Sequence, residues 1–418
     1  MSPPTCTIDG FGPLPVVRPA SIAELGDEVR RRAAAGQAVY PVGGSTQLGV
    51  GLPPSKDGVA VDITGLNAVI DYPARDMTIT VQAGIRIADL QRLLAAEGQR
   101  LPIDVPAADR ATLGGTIAAN TSGPRRLGAG TMRDYVIGIS AVNDDGHETK
   151  AGGRVVKNVA GYDFCKLHTG AMGTLGVITQ ATLKVRPVPE SQALLTFGCG
   201  NHTLEGLLDR LHGTRTRPMC VDLLNARAAD RLRAAARVAL PQQPWVLVVG
   251  FEDSEPAVNW QVQQLIKEVT DAGVHGVEAL AGTPAAPLWQ ALAEGGHAAT
   301  GVLSVKANLL PGRLAAWCLL ADTQPGALEL HAHAASGIVR GTATAALTLE
   351  TARTMVERLA TEAAAAAGNL TLPRCPTAWK RVLPVWGRPR DDGWLMRRVK
   401  DELDPRQVFN PGRFVAGI

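Results

Sequence analysis

The residues of this sequence best suited to chemistry are gathered in three glycine-dense stretches. Pro41-Val42-Gly43-Gly44-Ser45-Thr46-Gln47 follows directly on a run that reads as a strand. Glycine lets a backbone approach a ligand closely. Successive N–H groups in such a turn form a concave nest for an anion, and Ser45 and Thr46 add hydroxyl donors. An isolated Gly-Gly pair is more often a tight surface turn. The second stretch, Arg110-Ala111-Thr112-Leu113-Gly114-Gly115-Thr116-Ile117-Ala118-Ala119-Asn120-Thr121-Ser122-Gly123, is rich in small and hydroxyl residues and holds no acidic group. That composition suits a diphosphate lying on backbone amides, and equally a small-residue helix packed on a sheet. In the third, Gly170-Ala171-Met172-Gly173-Thr174-Leu175-Gly176-Val177-Ile178, glycines lead into a strand whose backbone is able to pair with the edge of a heterocycle. No G-x-G-x-x-G joins a strand to a helix and no Walker A motif is present, so the Rossmann and P-loop readings fail.

Further candidates lie outside the glycine loops. His331 and His333 stand at i and i+2 of an apparent strand with Glu329 on the same face. They are suited to act as a base or as metal ligands. The competing reading makes them polar residues on an exposed face, with Leu328, Leu330, Ala332 and Ala334 turned inward. The two readings weigh equally, and no catalytic residue is assigned. Lys157 and Asp163 read as a structural pair on a hairpin, and Arg125 and Arg126 as a solvated pair rather than a guide for an anionic substrate. The six cysteines, Cys6, Cys165, Cys199, Cys220, Cys318 and Cys375, form no C-x-x-C pair. That argues against zinc or an iron–sulfur cluster held by this chain alone, and no metal site is expected.

These residues need elements to position them. Ser21 and Glu24 mark a capping box for a helix over 21–36 that stops at Gly36. Strands are expected at Gln37–Val42, Val59–Ile63 and Met77–Val81, and a second helix carries Ile87, Leu90 and Leu94. From 106 to 176 long periodic helices are missing. Ile137–Val142 and His147–Lys150 read as a hairpin around Asp145-Gly146. After about 190, strands at Pro244–Gly250 and Val302–Leu310 alternate with helices at 255–272 and 351–367. No internal repeat is visible in the sequence. With 418 residues the chain is long enough for two or three domains. A net charge of +3 and 4% aromatic residues give no reason to invoke nucleic acid. The amino terminus lacks the pattern of a signal peptide, and no apolar run is as long as a membrane span.

In this order and spacing the three loops resemble the vanillyl-alcohol-oxidase family of flavoproteins, which carries the PCMH-type FAD-binding domain. Val155-Val156-Lys157-Asn158-Val159-Ala160-Gly161-Tyr162-Asp163, and Asp404-Pro405 followed by Phe409-Asn410-Pro411-Gly412-Arg413, look like signatures of its 2-hydroxyacid branch. Within that branch Thr112–Thr116, Ser122-Gly123-Pro124-Arg125-Arg126 and His331-Ala332-His333 are most similar to the smaller FAD-binding subunit of the bacterial glycolate oxidase complexes.

The resemblance implies an α+β fold: a PCMH-type FAD-binding domain of two α/β subdomains over 1–190, then a ferredoxin-like α+β cap domain over 191–390. A terminal segment, 391–418, would return to the first domain. It implies bound FAD. Val42, Gly43, Gly44, Ser45, Thr46 and Gln47 would wrap the pyrophosphate. Thr112, Gly114, Gly115, Ala118 and Asn120 would contact pyrophosphate and flavin. The backbone of Gly176, Val177 and Ile178 would meet the adenine–ribose side, and Asn410 would sit near the flavin ring. Ser45 stands where covalently linked members carry histidine, so the attachment would be non-covalent. Gly170-Ala171-Met172-Gly173 departs from the Gly-Ser-Glu-Gly of larger subunits, and Ala334-Ala335-Ser336-Gly337 from the Gly-Asp-Gly-Asn of full-length relatives. The implied role is oxidation of glycolate or a related 2-hydroxy acid, with electrons passed to a larger FAD-binding subunit and an iron–sulfur subunit. The alternative is a non-catalytic FAD-holding subunit. The implied location is cytoplasmic, with the membrane reached only through partners.

Overall fold

Residues 4–154, 161–298 and 300–418 are described by the structure, a computed structural model. Contacts divide the chain into two units. The first comprises Met1–Ser122, Thr131–Val188 and Pro389–Ile418; the second comprises Gly123–Gly130 and Pro189–Arg388. The segment 123–130, placed by sequence in the first domain, belongs to the second. Its backbone is docked there by the Gly128 N–H, which donates to the Met219 carbonyl at 3.1 Å. A side chain at Gly128 would lie 3.0 Å from the Met219 Cα.

The first unit is built on two sheets. Strands β1 (Thr5–Ile8), β2 (Phe11–Val17), β3 (Ala38–Val42) and β4 (Gly58–Asp62) take the order β1-β2-β4-β3, with β2 and β3 parallel to β4. Strands β5 (Val69–Asp71) and β6 (Thr78–Gln82) begin the second sheet, and β7 (Gln99–Arg100) lies outside it. The second sheet is completed by β8 (Val136–Val142), β9 (Glu148–Gly152) and β10 (Val177–Lys184), in the antiparallel order β5-β6-β10-β8-β9; β11 (Arg186–Pro187) pairs with β7. The Ser21 hydroxyl caps the helix Ile22–Ala34 by accepting from the Glu24 N–H, and the Glu24 carboxylate accepts from the Ala20 N–H. That helix buries Leu25 and Val29 in a core shared with β3, β4, β6, β8 and β10. Helices between 106 and 176 are short, as expected: Leu113–Ala119 has seven residues and Phe164–His168 five.

The terminal segment is fixed to this unit by a buried charge. Lys400, 1% exposed, donates from Nζ to the Asp404 carboxylate, to the Thr174 carbonyl at 2.7 Å and to the Phe409 carbonyl at 2.9 Å. Asp404 accepts in turn from the Val408 and Phe409 N–H groups. Every polar atom of the pair is thus satisfied, the condition under which buried charges persist.

The second unit is one eight-stranded antiparallel sheet. It comprises β12 (Ser191–Cys199), β13 (Cys220–Asn225), β14 (Trp245–Asp253), β15 (Glu278–Ala281), β16 (Ser304–Asn308), β17 (Leu328–His333), β18 (Ile338–Ala343) and β19 (Asn369–Arg374). Their order is β15-β12-β14-β13-β17-β18-β16-β19. Each half has the ferredoxin-like strand order, and β13 and β17 join the halves. The chain therefore repeats a topology without repeating a sequence. On one face Leu195, Phe197, Val249, Val305 and Leu330 pack under the helices Leu204–His212, Glu255–Thr270, Leu314–Asp322 and Leu349–Ala365. On the other, Leu224, Val246 and Val248 pack under Ala226–Ala236 and Ala286–Ala298. The continuation of that second face across β16, β17 and β18 is polar.

Lys400→Met leaves the Asp404 carboxylate buried and uncompensated. It is expected to cost about 3–5 kcal/mol, read by denaturant unfolding. A loss below about 1 kcal/mol, the range of surface ion pairs, would show that this pair does not hold the terminal segment.

Candidate functional site

A shallow recess opens in the first unit. Its lining consists of Pro41, Gly43, Ile63, Gly114, Gly115, Ala118, Met172, Gly173, Gly176, Ile178 and Asn410. Seven of the fifteen residues expected from sequence thus meet at one place: Gly43, Gly114, Gly115, Ala118, Gly176, Ile178 and Asn410. Val42 instead turns its side chain into the small core with Ile8, Leu14 and Tyr40, and Val177 is buried in the main core. Gly44, Ser45, Thr46 and Gln47 continue the first loop outside the lining, with Ser45 left-handed at φ 58°. Thr112 caps the helix Leu113–Ala119 by accepting from the Gly115 N–H, and Asn120 ends it in the left-handed region at φ 47°. Pro41, Ile63, Met172 and Gly173 complete the lining and were absent from the expected set. Ile63 lies just past β4, and its apolar type gave no sign of a binding role.

The glycines divide by what they approach. A Cβ at Gly43 would stand 2.1 Å from the Thr112 hydroxyl oxygen, and one at Gly44 only 1.8 Å from the Arg110 carbonyl oxygen. These two exist so that the first and second loops can interlock. At Gly115 a Cβ would meet only the Thr112 hydroxyl, at 3.3 Å, and would otherwise enter the recess. Asn410 donates from its amide to the Met172 carbonyl at 2.8 Å and so ties the terminal segment to the third loop. The Asn120 side-chain oxygen is buried with no hydrogen-bond partner. An orphaned buried acceptor costs free energy until a donor reaches it, and FAD carries amide, amine and hydroxyl donors. The Gly115 face and this orphan fit such a group. Lys157, with the rest of 155–160, lies outside the described residues. Asp163 caps the helix Phe164–His168 and pairs with Lys166.

The second unit gathers ionisable groups on the polar continuation of its sheet. His331 and His333 are only 3% and 5% exposed, so the exposed-face reading is wrong. Both bond to Asp222, which is fully buried on the neighbouring strand: His331 Nε2 lies 2.8 Å from Oδ2 and His333 Nδ1 lies 2.9 Å from Oδ1. Burial works against the Asp222 carboxylate, yet the two imidazoles outweigh it and hold its pKa at about 2. Asp222 was missed by sequence reasoning, though a lone aspartate inside Cys220-Val221-Asp222-Leu223-Leu224 was a usable signal. One ligand atom from each of the three residues lies within 4.8 Å of the others, close enough to hold a metal ion; the two histidines were candidate ligands in the sequence and Asp222 was not. Glu329 is buried and paired with Arg231.

Cations stand beside this group. Arg340 lies directly across from His331 on one side and from Lys306 on the other. Lys306 is pushed down to about 8 by burial and then by Arg340 and Arg126. Arg340 is pushed down to about 10 by burial and then by Arg126. Among the described residues neither Lys306 nor Arg340 has a carboxylate within ion-pair distance. Arg125 and Arg126 are not a solvated pair. The Arg125 Nε donates to Glu252 at 2.7 Å and its guanidinium lies 4.0 Å above the Trp289 ring, while Arg126 adds to the field on Lys306 and Arg340.

Residues 13–152 match the family model of the FAD binding domain. FAD is therefore the cofactor of the first unit, and the class is that of FAD-dependent oxidoreductases. Over 96% of its length the chain is 26% identical to a D-2-hydroxyglutarate dehydrogenase of Xanthomonas citri pv. viticola, covering 89% of that protein. It is 36% identical to the glycolate oxidase subunit GlcD of Bacillus subtilis and 35% identical to the subunit GlcE of Escherichia coli. These matches take in 38% and 33% of this chain, and 33% and 40% of those proteins. Among solved structures, alkyldihydroxyacetonephosphate synthase shares the fold at a TM-score of 0.65 and 17% identity, over 96% of this chain and 77% of that one.

Gly115→Val is expected to abolish FAD binding while leaving far-ultraviolet circular dichroism unchanged, because its side chain enters the recess. Gly44→Ala should instead destabilise the unit itself. Full flavin occupancy in Gly115→Val would remove this face from the site.

Proposed function

We propose that this chain is the FAD-binding subunit of a glycolate-oxidase-type complex, oxidising glycolate or a related 2-hydroxy acid to the 2-oxo acid. Its partners would be a larger FAD-binding subunit and an iron–sulfur subunit, which carry the electrons onward. The reading is supported in class by the FAD binding domain. The observation that carries the substrate is the pair Lys306 and Arg340, two cations facing each other across a ladder with no carboxylate within ion-pair distance among the described residues. Bringing like charges together without a counter-ion is unfavourable, and a bound carboxylate repairs it by charge-assisted hydrogen bonds.

Bound FAD supplies the acceptor for the hydride that leaves the hydroxyl-bearing carbon. In the first unit Gly43, Gly114, Gly115, Ala118, Gly176, Ile178 and Asn410 would hold it, with Asn120 offering an unspent acceptor. Ser45 in place of a linking histidine supports non-covalent attachment. In the second unit Lys306 and Arg340 hold the substrate carboxylate. Among the described residues no helix is long and apolar enough to cross a membrane, and a cytoplasmic chain meeting the membrane only through its partners is the matching location. One observation favours the second reading, a subunit that holds FAD while a larger partner does the substrate chemistry. The turn Ala334–Ser336, closed by Gly337, offers only one polar side chain, Ser336, where a substrate site would need several.

Acid precipitation is expected to leave all the flavin in solution, and colour retained in the pellet would refute non-covalent binding. Anaerobic glycolate, D-lactate or D-2-hydroxyglutarate should bleach the flavin of the isolated chain. Lys306→Met should raise KM roughly 10- to 100-fold, the equivalent of about 1.5–3 kcal/mol for a charged hydrogen bond, at unchanged FAD content. No bleaching by any of the three acids would leave the FAD-holding reading.

A further inference from the structure

The first unit holds a second hollow, larger than the recess, between the hairpin β8–β9, the helix Phe164–His168 and the terminal segment. Its floor is a sheet face, where Ile139 stands opposite Ala151 and Ala141 opposite Thr149. Three of these four side chains are small, so the floor is flat and low. One wall is formed by two rings a helical turn apart, Phe164 and His168, with centroids separated by 6.5 Å and planes inclined by 35°. Leu175 and Leu403 complete the apolar lining.

His168 is the residue that packing alone does not explain. It is only 7% exposed, and among the described residues its ring nitrogens make no hydrogen bond. Burial pushes its pKa down to about 4. The ring is then neutral at physiological pH and offers one N–H donor and one lone pair. Desolvating them without a partner costs free energy, and a leucine would build the same wall without that cost. The charges at the mouth are unbalanced as well. Lys150 lies 3.5 Å from Glu148, and Arg406 donates to Asp144 at 2.8 Å. Glu402 lines the cleft, is exposed and has neither an ion pair nor a hydrogen bond among the described residues. The cleft thus combines a flat apolar slot, an unpartnered imidazole and an unmatched carboxylate. An anion is disfavoured beside Glu402. A planar ring that carries N–H groups is matched.

We propose that this cleft is a second ligand site of the first unit and takes a flat heteroaromatic amine of the aminopurine kind. The ring lies on the β8–β9 face beside Phe164, a ring nitrogen pairs with His168, and the amino group meets Glu402. The site does not depend on the 2-hydroxy acid reading. It does adjoin the FAD recess: Leu175 lines the cleft and Gly176 the recess, and a Cβ at Gly176 would lie 3.7 Å from His168 Cε1. FAD carries an aminopurine of its own, so the test must separate a free ligand from the adenine of the cofactor.

The experiment titrates the FAD-loaded chain with adenosine by calorimetry while the flavin is followed by its absorbance. Adenosine is expected to bind once per chain with all flavin retained. His168→Leu and Glu402→Gln should each weaken binding roughly 3- to 10-fold, the worth of one hydrogen bond, at unchanged flavin content. Inosine, in which a carbonyl replaces the amine, should bind roughly 10-fold more weakly, because it sets an acceptor against the carboxylate. Should His168→Leu lose its flavin or its circular dichroism, Glu402→Gln decides the matter, since that side chain stands at the exposed mouth. The absence of saturable binding would overturn the proposal. So would release of FAD by adenosine, which would assign the binding to the adenine end of the flavin site. Equal affinity for adenosine in the wild type and in Glu402→Gln, together with equal affinity for inosine, would overturn it too.

Discussion

The first unit depends on the buried ammonium of Lys400. Moving a lysine charge out of water is costly unless its donors are met, and here all three find acceptors on different parts of the chain. One is the side chain of Asp404, one turn away on the same stretch; the others are the carbonyls of Phe409 and Thr174. Thr174 leads into β10 and Phe409 adjoins Asn410, so a single charge fixes both the third glycine loop and the segment that completes the recess. The Asn410 amide then bonds the Met172 carbonyl, and Arg413 holds the first loop through the carbonyls of Leu48 and Val50. The terminal thirty residues thus act as a clasp on the loops of the FAD site.

Close approach is the second constraint. Gly43 and Gly44 are spent on the second loop, at Thr112 and Arg110, where no side chain has room. Gly114 is spent on the core, its Cα facing Ala83 and Ile63. Only Gly115 is left with its open side toward the recess. A glycine-rich sequence therefore serves two ends in the same few residues: rigid interlock of the loops, and a bare surface for the cofactor.

In the second unit the governing term is electrostatic. One face of the sheet is apolar throughout. The other is apolar under the helices Ala226–Ala236 and Ala286–Ala298 and changes to Asp222, His331, His333, Arg340 and Lys306 on the strands beside them. Burying these groups costs desolvation. Asp222 offsets part of it by taking two hydrogen bonds, while the cations keep an unmet demand for an anion. A fold that needed only a core would have no use for such a face, and this is why function is assigned to it.

Much was written locally. The cap Ser21–Glu24, the Asp145-Gly146 turn, the β-branched run of β6 and the glycine loops are all short-range features, and the helix, hairpin and strand they mark formed close to the expected limits. Seven of the expected cofactor residues converge because loops that follow strands are carried to the ends of those strands. What the sequence alone could not decide is pairing between distant strands. The partnership of Asp222 with His333 spans 111 residues and that of Lys306 with Arg340 joins two strands of a ladder. A period-two pattern fixes which residues share a face, not which strand lies next to it. The same limit left an exposed reading of His331 and His333 standing beside the functional one, since alternation separates two faces without saying that both are covered. Types and spacing determined the loops and the strands, and the family resemblance of those loops implied the cofactor; tertiary packing alone decided which charges face one another, because that depends on strand order across the whole sheet.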